Sequence, residues 1–364
     1  MGYFNNINLN NYRNFSKFSL DFSKESNVLL GENGSGKTNI LEAISLLEKG
    51  NGFRKEKIIN LNNFNATNKG FIVKSNFLDN RNEYNAKVFS SEKNLKKKSI
   101  NESFEKSSIN YFESLFSIIY FLPEMERMFL ASPSFRRNFL DRLIFTTNKN
   151  YNSVINSYKK SVFERQLILR GSNIDEEWIT NIERNIVKYG SIIYDKRNSH
   201  IENINSILKD INKEKHFSAE FFLKIHDEFI LKYPKLYENK DLYLSEIKNK
   251  RKIDSLSGRC AIGPHRSDIL GYNIINNFNL NQLSTGQQKT IVLLIIISQS
   301  IYLNNNFDIK PIILLDEACS HLDNINRELI LYLVNILKAQ VFMTGTDKKF
   351  FSFLSTKTNY CNIT

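Results

Sequence analysis

The sequence predicts an α/β fold assembled from the two ends of the chain, with a helical lobe inserted between them. Three observations carry this. Gly31-Glu32-Asn33-Gly34-Ser35-Gly36-Lys37-Thr38 fits G-x-x-x-x-G-K-[ST] at every specified position. Ile312-Ile313-Leu314-Leu315 is an apolar run closed by two carboxylates, Asp316-Glu317, 279 positions beyond Lys37 (316 − 37). Between the two, the apolar spacing turns helical. The boundaries drawn on this basis are 1–125 and 255–364 for the two parts of the α/β lobe and 126–254 for the insert.

Taken in order, Phe18 to Phe22 alternates as a half-buried strand does, and Asn27 to Leu30 reads as a buried strand. The Gly-rich turn follows, then a helical pattern from Thr38 through Leu47. In the middle third, Ile179, Ile182, Ile186, Tyr189 and Ile193 fall at spacings of 3, 4, 3 and 4, and Ile204, Ile207 and Ile211 resume the stripe. This is an amphipathic helix with a heptad-like seam, too short for a long coiled coil and expected to be interrupted at Gly190. Strand texture returns at Pro311 to Leu315 and Val341 to Met343. The basic clusters Lys96-Lys97-Lys98 and Lys248 to Lys252 are expected in solvated loops.

Composition narrows the function classes. With 41% hydrophobic and 24% charged residues, the chain can bury a sizeable core and is no disordered polyampholyte. The formal net charge is +12, which suits a polyanionic partner, nucleic acid or an acidic membrane face, and equally suits a compositional bias toward Lys, Asn and Ile. Three widely spaced cysteines, Cys260, Cys319 and Cys361, form no CxxC pair, so neither a disulfide framework nor a zinc site is implied. No secretory signal is evident, and the longest apolar run, Ile291 to Ile297, is far short of the ~20 residues a bilayer needs. A soluble, cytoplasmic protein is expected.

The motifs specify chemistry. Gly31, Glu32, Asn33, Gly34, Ser35 and Gly36 shape a loop whose backbone N–H groups turn toward nucleotide phosphates at a helix N-terminus. Lys37 supplies a point charge to the β/γ-phosphates, and the Thr38 hydroxyl is a hard oxygen ligand for Mg2+. Asp316 is expected to hold Mg2+ through water, leaving Glu317 to orient the attacking water in γ-phosphate hydrolysis. A nucleoside triphosphate with Mg2+ is therefore the expected cofactor, with Lys37, Asp316 and Glu317 as the catalytic set and Thr38 and Asp316 on the metal.

Just upstream of the second strand, Leu283-Ser284-Thr285-Gly286-Gln287 precedes the apolar helix Thr290 to Ile297. This resembles the L-S-x-G-Q signature of the ABC-type ATPases. The resemblance implies that Ser284, Gly286 and Gln287 form a second anion site reaching the nucleotide of another protomer, hence an ATP-gated homodimer. Ser320-His321-Leu322-Asp323 stands where the D-loop of that superfamily does, with His321 either a catalytic base or a packing residue at the dimer seam. Transporter subunits carry a Gln soon after the P-loop helix and a switch His after the last strand. Here no Gln occurs between Thr38 and Arg165, and Thr344-Gly345-Thr346-Asp347 has no His. The long coiled coil of SMC proteins is also missing. A structural chromosome ATPase of the SMC kind and a transporter subunit are thus the disfavoured alternatives.

Further segments resemble the RecF family along nearly the whole chain: Asn11 to Phe15, Gly36 to Ala43, Leu122-Pro123-Glu124, Ser132 to Asp141 and Gly263 to Asp268. Departures stand at Leu122, Met125, Ser267, Gly52-Phe53-Arg54 and Glu317. The resemblance implies an SMC-like ABC-type ATPase lobe and a weak, DNA-stimulated ATPase of recombinational repair, replication and the SOS response. It further implies a homodimer closing on double-stranded and gapped DNA, with RecO and RecR as partners in loading recombinase and no membrane. It places Arg13 on the nucleotide and Glu124 as a γ-phosphate sensor or a plain strand-end turn. Arg136 and Arg137 with Asp141, and His265 and Arg266 with Asp268, are left as either structural clusters or DNA-facing patches.

Overall fold

The computed structural model describes residues 2–65, 70–80, 82–90, 95–171, 175–213, 219–234, 237–309, 311–319 and 322–364. They fall into two compact units, Met1–Glu126 with Lys289–Thr364, and Arg127–Gln288.

The first unit begins with β1 (Gly2–Phe4), β2 (Asn6–Tyr12), β3 (Phe15–Asp21), β4 (Ser26–Leu30) and α1 (Lys37–Leu46), then β5 (Ile72–Asp79), β6 (Asn82–Ser90), β7 (Lys96–Ile100), α2 (Lys106–Ser114) and β8 (Ile118–Phe121). The second unit holds α3 (Pro133–Thr147), α4 (Tyr151–Arg170), α5 (Glu176–Lys213), β9 (Phe221–His226), α6 (Glu228–Lys232), α7 (Lys240–Asn249), α8 (Arg251–Ser257) and β10 (Asp268–Asn273). The helix α9 (Thr285–Phe307) leads back to β11 (Ile312–Leu315), α10 (Asn324–Leu331), β12 (Gln340–Gly345) and β13 (Asn359–Asn362).

Two sheets build the first unit. One is parallel, in the order β13-β4-β12-β11-β8. Its β4, β8 and β11 are buried throughout, as strands covered on both faces must be, which is why they read as unbroken apolar runs. The other is antiparallel, β3-β2-β5-β6-β7, with β1 also paired to β5. Phe4, Phe77, Phe112 and Phe116 meet edge-on or tilted between these elements, with centroids 5.1–5.6 Å apart. Buried Gln340 at the start of β12 stitches the layers, accepting from Phe4 N–H at 2.9 Å and donating to Phe4 O at 2.7 Å.

Three expectations change. Lys96-Lys97-Lys98 is no solvated loop but most of β7, paired with β6. Lys98 Nζ reaches Leu47 O (2.8 Å), Glu48 O (3.1 Å) and Glu113 Oε1 (2.5 Å), so a cation closes the C-terminal end of the α1 segment, where carbonyls lack partners. Lys96 donates to Gly50 O, and burial, then Lys98, pulls its ammonium down to about 7. Gly190 does not interrupt the helical seam. α5 runs unbroken through it, and a Cβ there would lie 2.8 Å from Tyr243 Oη, so this glycine admits a neighbour rather than ending a helix. Lys248 to Lys252 is no loop either: Lys248 lies in the last turn of α7, and Arg251 opens α8 and pairs with Glu176 at 2.6 Å and Glu183 at 2.7 Å.

The core of the second unit is charged as well as apolar. Arg165 is fully buried and donates to Glu183 Oε1 (2.9 Å), Asp254 Oδ2 (2.6 Å) and Ile247 O (2.9 Å), tying α4 to α5, α7 and α8. Among the described residues one helix, α9, is long and apolar enough to cross a membrane, and 61% of its most apolar stretch is buried inside the protein.

Candidate nucleotide site

The carboxyl ends of the parallel strands bring the first set of residues together. The loop after β4 is held by Gly31 N–H donating to Gly345 O (3.2 Å) at the end of neighbouring β12. Gly34 and Gly36 take φ of 88° and 103°, backbone that side chains resist. A Cβ on Gly36 would also lie 2.6 Å from both Asn14 Nδ2 and Phe15 Cζ. Lys37 opens α1, with Nζ donating to Gly31 O and Glu32 O at 2.7 Å each.

Asp316 follows β11, nearly buried, and collects two hydroxyls on Oδ1: Thr38 Oγ1–H at 3.0 Å and Thr344 Oγ1–H at 2.8 Å. Thr344 Oγ1 in turn accepts from Glu317 N–H at 2.8 Å. Glu317 sits at φ 52°, left-handed backbone in a residue with a Cβ, and its side chain is exposed. Thr344 was passed over in the sequence, where its segment was read only for a missing His. An apolar strand ending in Thr-Gly was the available signal.

Two clefts adjoin the loop, one lined by Asn33, Gly34, Gly36, Lys37, Thr38, Asn39, Arg54 and Glu317, the other by Asn33, Lys37, Glu317, Thr344 to Thr346, Phe350 and Phe351. The residues fit a magnesium nucleotide on two counts. Ser35 Oγ is buried without a hydrogen-bond partner among the described residues, and Thr38 and Asp316 offer hard oxygens.

Arg13 lies against the P-loop helix α1. Its guanidinium grips Glu42 of α1 through Nε (2.9 Å) and Nη2 (2.7 Å) and donates from Nη1 to Asn60 O (3.0 Å). Tyr12 Oη–H donates to the same carboxylate at 3.0 Å, and burial, then Glu42, pushes that hydroxyl well above its ordinary range. Arg54 lines the cleft beside Gly34, Gly36 and Lys37, donating to Asn39 Oδ1 at 2.8 Å. Glu124 is exposed, three residues past Phe121, whose carbonyl accepts from Asp316 N–H at 2.9 Å.

Ser284, Gly286 and Gln287 lie in the second unit, all exposed at the start of α9. Ser284 N–H and Oγ–H both donate to Gln287 Oε1 at 3.0 Å, and Ser284 Oγ accepts from Gln287 N–H at 3.4 Å, a capping box that forms the helix N-terminus. Of the expected D-loop, Ser320 and His321 lie outside the described residues. Asp323 caps α10 by accepting from Asn326 N–H at 2.8 Å.

The clusters left open in the sequence are engaged within the second unit. Arg136 pairs with Asp268 through Nε (2.8 Å) and Nη2 (2.7 Å), and Asp141 pairs with Arg197 at 2.8 Å on each oxygen. His265 is bonded at both nitrogens, to Tyr158 Oη (2.6 Å) and Cys260 O (2.9 Å), and burial brings it down to about 4.

A P-loop after β4, paired carboxylates after β11 and an inserted unit carrying the Ser284 motif define an ABC-type P-loop ATPase fold of the SMC-head kind. The family described as RecF/RecN/SMC N terminal domain matches residues 3–361. The DNA replication and repair protein RecF of Rickettsia conorii is 30% identical over 357 residues, covering 98% of this chain and 97% of its own. A solved recombination mediator RecF, in a complex named RecF-ATPrS, superposes with a TM-score of 0.83 at 25% identity, covering 97% of this chain and 94% of that one. An Smc head domain from Pyrococcus furiosus, at 16% identity and TM-score 0.53, shares the fold. The chain belongs to the RecF family.

Proposed function

We propose that this protein is an ATP-dependent DNA-binding protein of recombinational repair and replication, acting in the cytoplasm. It closes as an ATP-gated homodimer on duplex DNA near single-strand gaps and works with RecO and RecR partners. The observation that carries the reading is the 3.0 Å bond between Thr38 Oγ1 of the P-loop and Asp316 Oδ1 of β11, which joins residues 278 apart into one hard-oxygen pair.

In this reading Lys37 gives up its two loop carbonyls for the β/γ-phosphates, and the loop amides line the phosphate chain. Thr38 and Asp316 would hold Mg2+, which would supply positive charge against the phosphates. Glu317 positions water, its backbone held by Thr344. Ser284, Gly286 and Gln287 present their helix N-terminus to the nucleotide of the other protomer, so ATP favours the closed dimer because only that state supplies the second anion site. Hydrolysis is slow and resets the clamp. The relatives' names as replication and repair proteins, and the likeness to a solved RecF named as RecF-ATPrS, support the assignment.

The test is light-scattering mass of the Glu317→Gln protein with and without ATP-Mg2+, alone and with gapped duplex DNA. A doubled mass with ATP and a salt-sensitive DNA complex are expected. A protein that binds ATP yet stays monomeric and ignores DNA would overturn the reading.

A further inference from the structure

The second unit holds a cleft that the nucleotide site does not use. Its polar lining is Ser134, Arg137, Asn138 and Asp141 of α3, Tyr158 and Lys159 of α4, Arg197 of α5, and His265. Ser134, Arg137 and Asn138 fall at i, i+3 and i+4, so one face of the first turns of α3 borders the cleft, near the end of the helix that favours anions.

Adjacent arginines separate here. Arg136 is buried and spent on Asp268 and on the carbonyls of Phe129 and Ala131. Arg137 donates to Ser267 O at 2.6 Å and forms no ion pair among the described residues. Burial, then the nearby Arg197, holds its guanidinium below the ordinary value, against the opposing pull of Asp268 and Asp141. Exposed Lys159, which also lines the cleft, is likewise in no ion pair among the described residues. Arg197 is matched by Asp141, and His265, bonded at both nitrogens, is neutral at pH 7. The lining therefore sets three cations against one carboxylate.

We propose that this cleft is a phosphate-binding site for the DNA backbone, in which Arg137 and Lys159 take the phosphate oxygens and Ser134 lies beside them at the head of α3. The phosphate chemistry stands on the cleft itself; that the phosphate is part of DNA rests on the function proposed above. Arg137 brings a planar fork that matches phosphate, and Lys159 a point charge.

The experiment measures duplex-DNA affinity against salt for the wild type, Lys159→Gln, Arg137→Gln and the double variant, with ATP-dependent dimer mass followed in parallel. Lys159 is exposed, so its replacement leaves folding intact. Loss of this contact should lower the slope of log K against log salt by about one, so a fourfold rise in salt costs the double variant roughly 3–4-fold less affinity than it costs the wild type. Dimerisation should be unchanged. Wild-type slopes in variants of a protein that does bind DNA would overturn the site and leave the proposed function standing. If the wild type ignores DNA, the proposed function falls with DNA as the phosphate's source. The rise in melting temperature with inorganic phosphate then decides: a smaller rise in the double variant keeps a phosphate site, and an equal rise overturns it.

Discussion

Replacing Thr344 by valine keeps the shape of a fully buried side chain and deletes one hydroxyl. That hydroxyl donates to Asp316 Oδ1 and accepts from Glu317 N–H, both at 2.8 Å. A hydrogen bond to a charged group contributes roughly 1.5–3 kcal/mol and a neutral one roughly 0.5–1.5 kcal/mol. The left-handed backbone of Glu317 costs about 1–2 kcal/mol and persists only while its surroundings hold it. Thr344→Val should therefore destabilise the ATPase unit by about 3 kcal/mol. At roughly 2–4 °C per kcal/mol for a unit of this size, the melting temperature falls by roughly 6–12 °C. ATP turnover should fall further than ATP affinity, because the carboxylates lose their orientation while the phosphate loop is untouched. Thr344→Ser, which keeps the hydroxyl, should recover most of both. Differential scanning calorimetry and steady-state hydrolysis read the two effects. A valine variant that melts and turns over as the wild type does would refute the reasoning.

Three further outcomes are expected. Ser284→Arg should leave ATP binding by the monomer intact yet block dimer closure, and light-scattering mass that still doubles with ATP would show that Ser284 does not act across protomers. Arg165→Met leaves Glu183 and Asp254 buried without their cation, although Glu183 keeps Arg251 at 2.7 Å, and should cost about 3–5 kcal/mol by urea denaturation. His265 is held down to about 4, so the unfolded chain binds its proton more tightly than the folded one; stability of the second unit should be intact above pH 6.5 and decline as pH falls toward 4, by about 2–3 kcal/mol in all. That decline should flatten in His265→Gln, as followed by denaturant midpoints across the range.

The features legible along the chain lie in contiguous residues. A phosphate cradle needs consecutive backbone N–H groups, so Gly31 to Thr38 must be written in one stretch, and a buried parallel strand must be apolar throughout, so Ile312 to Leu315 announces itself. The seam of α5 was legible because helical burial repeats along one segment, though Gly190 was read as a break when it makes room for Tyr243. The sequence by itself thus determined the α/β class, the phosphate loop, the Asp316-Glu317 pair and the family resemblance. Only the tertiary structure decided what those residues touch. Thr344 joins Asp316 because strand order places β12 between β4 and β11. Arg13 is turned to Glu42, and Lys98, in a run that looks like surface charge, closes the end of α1. Arg136 and Arg137 differ because Asp268, 132 residues from Arg136, meets only one of them. The physical reason is common to all four: a polar side chain's partner is set by which distant elements the buried strands and helices bring beside it, and that proximity has no period along the chain.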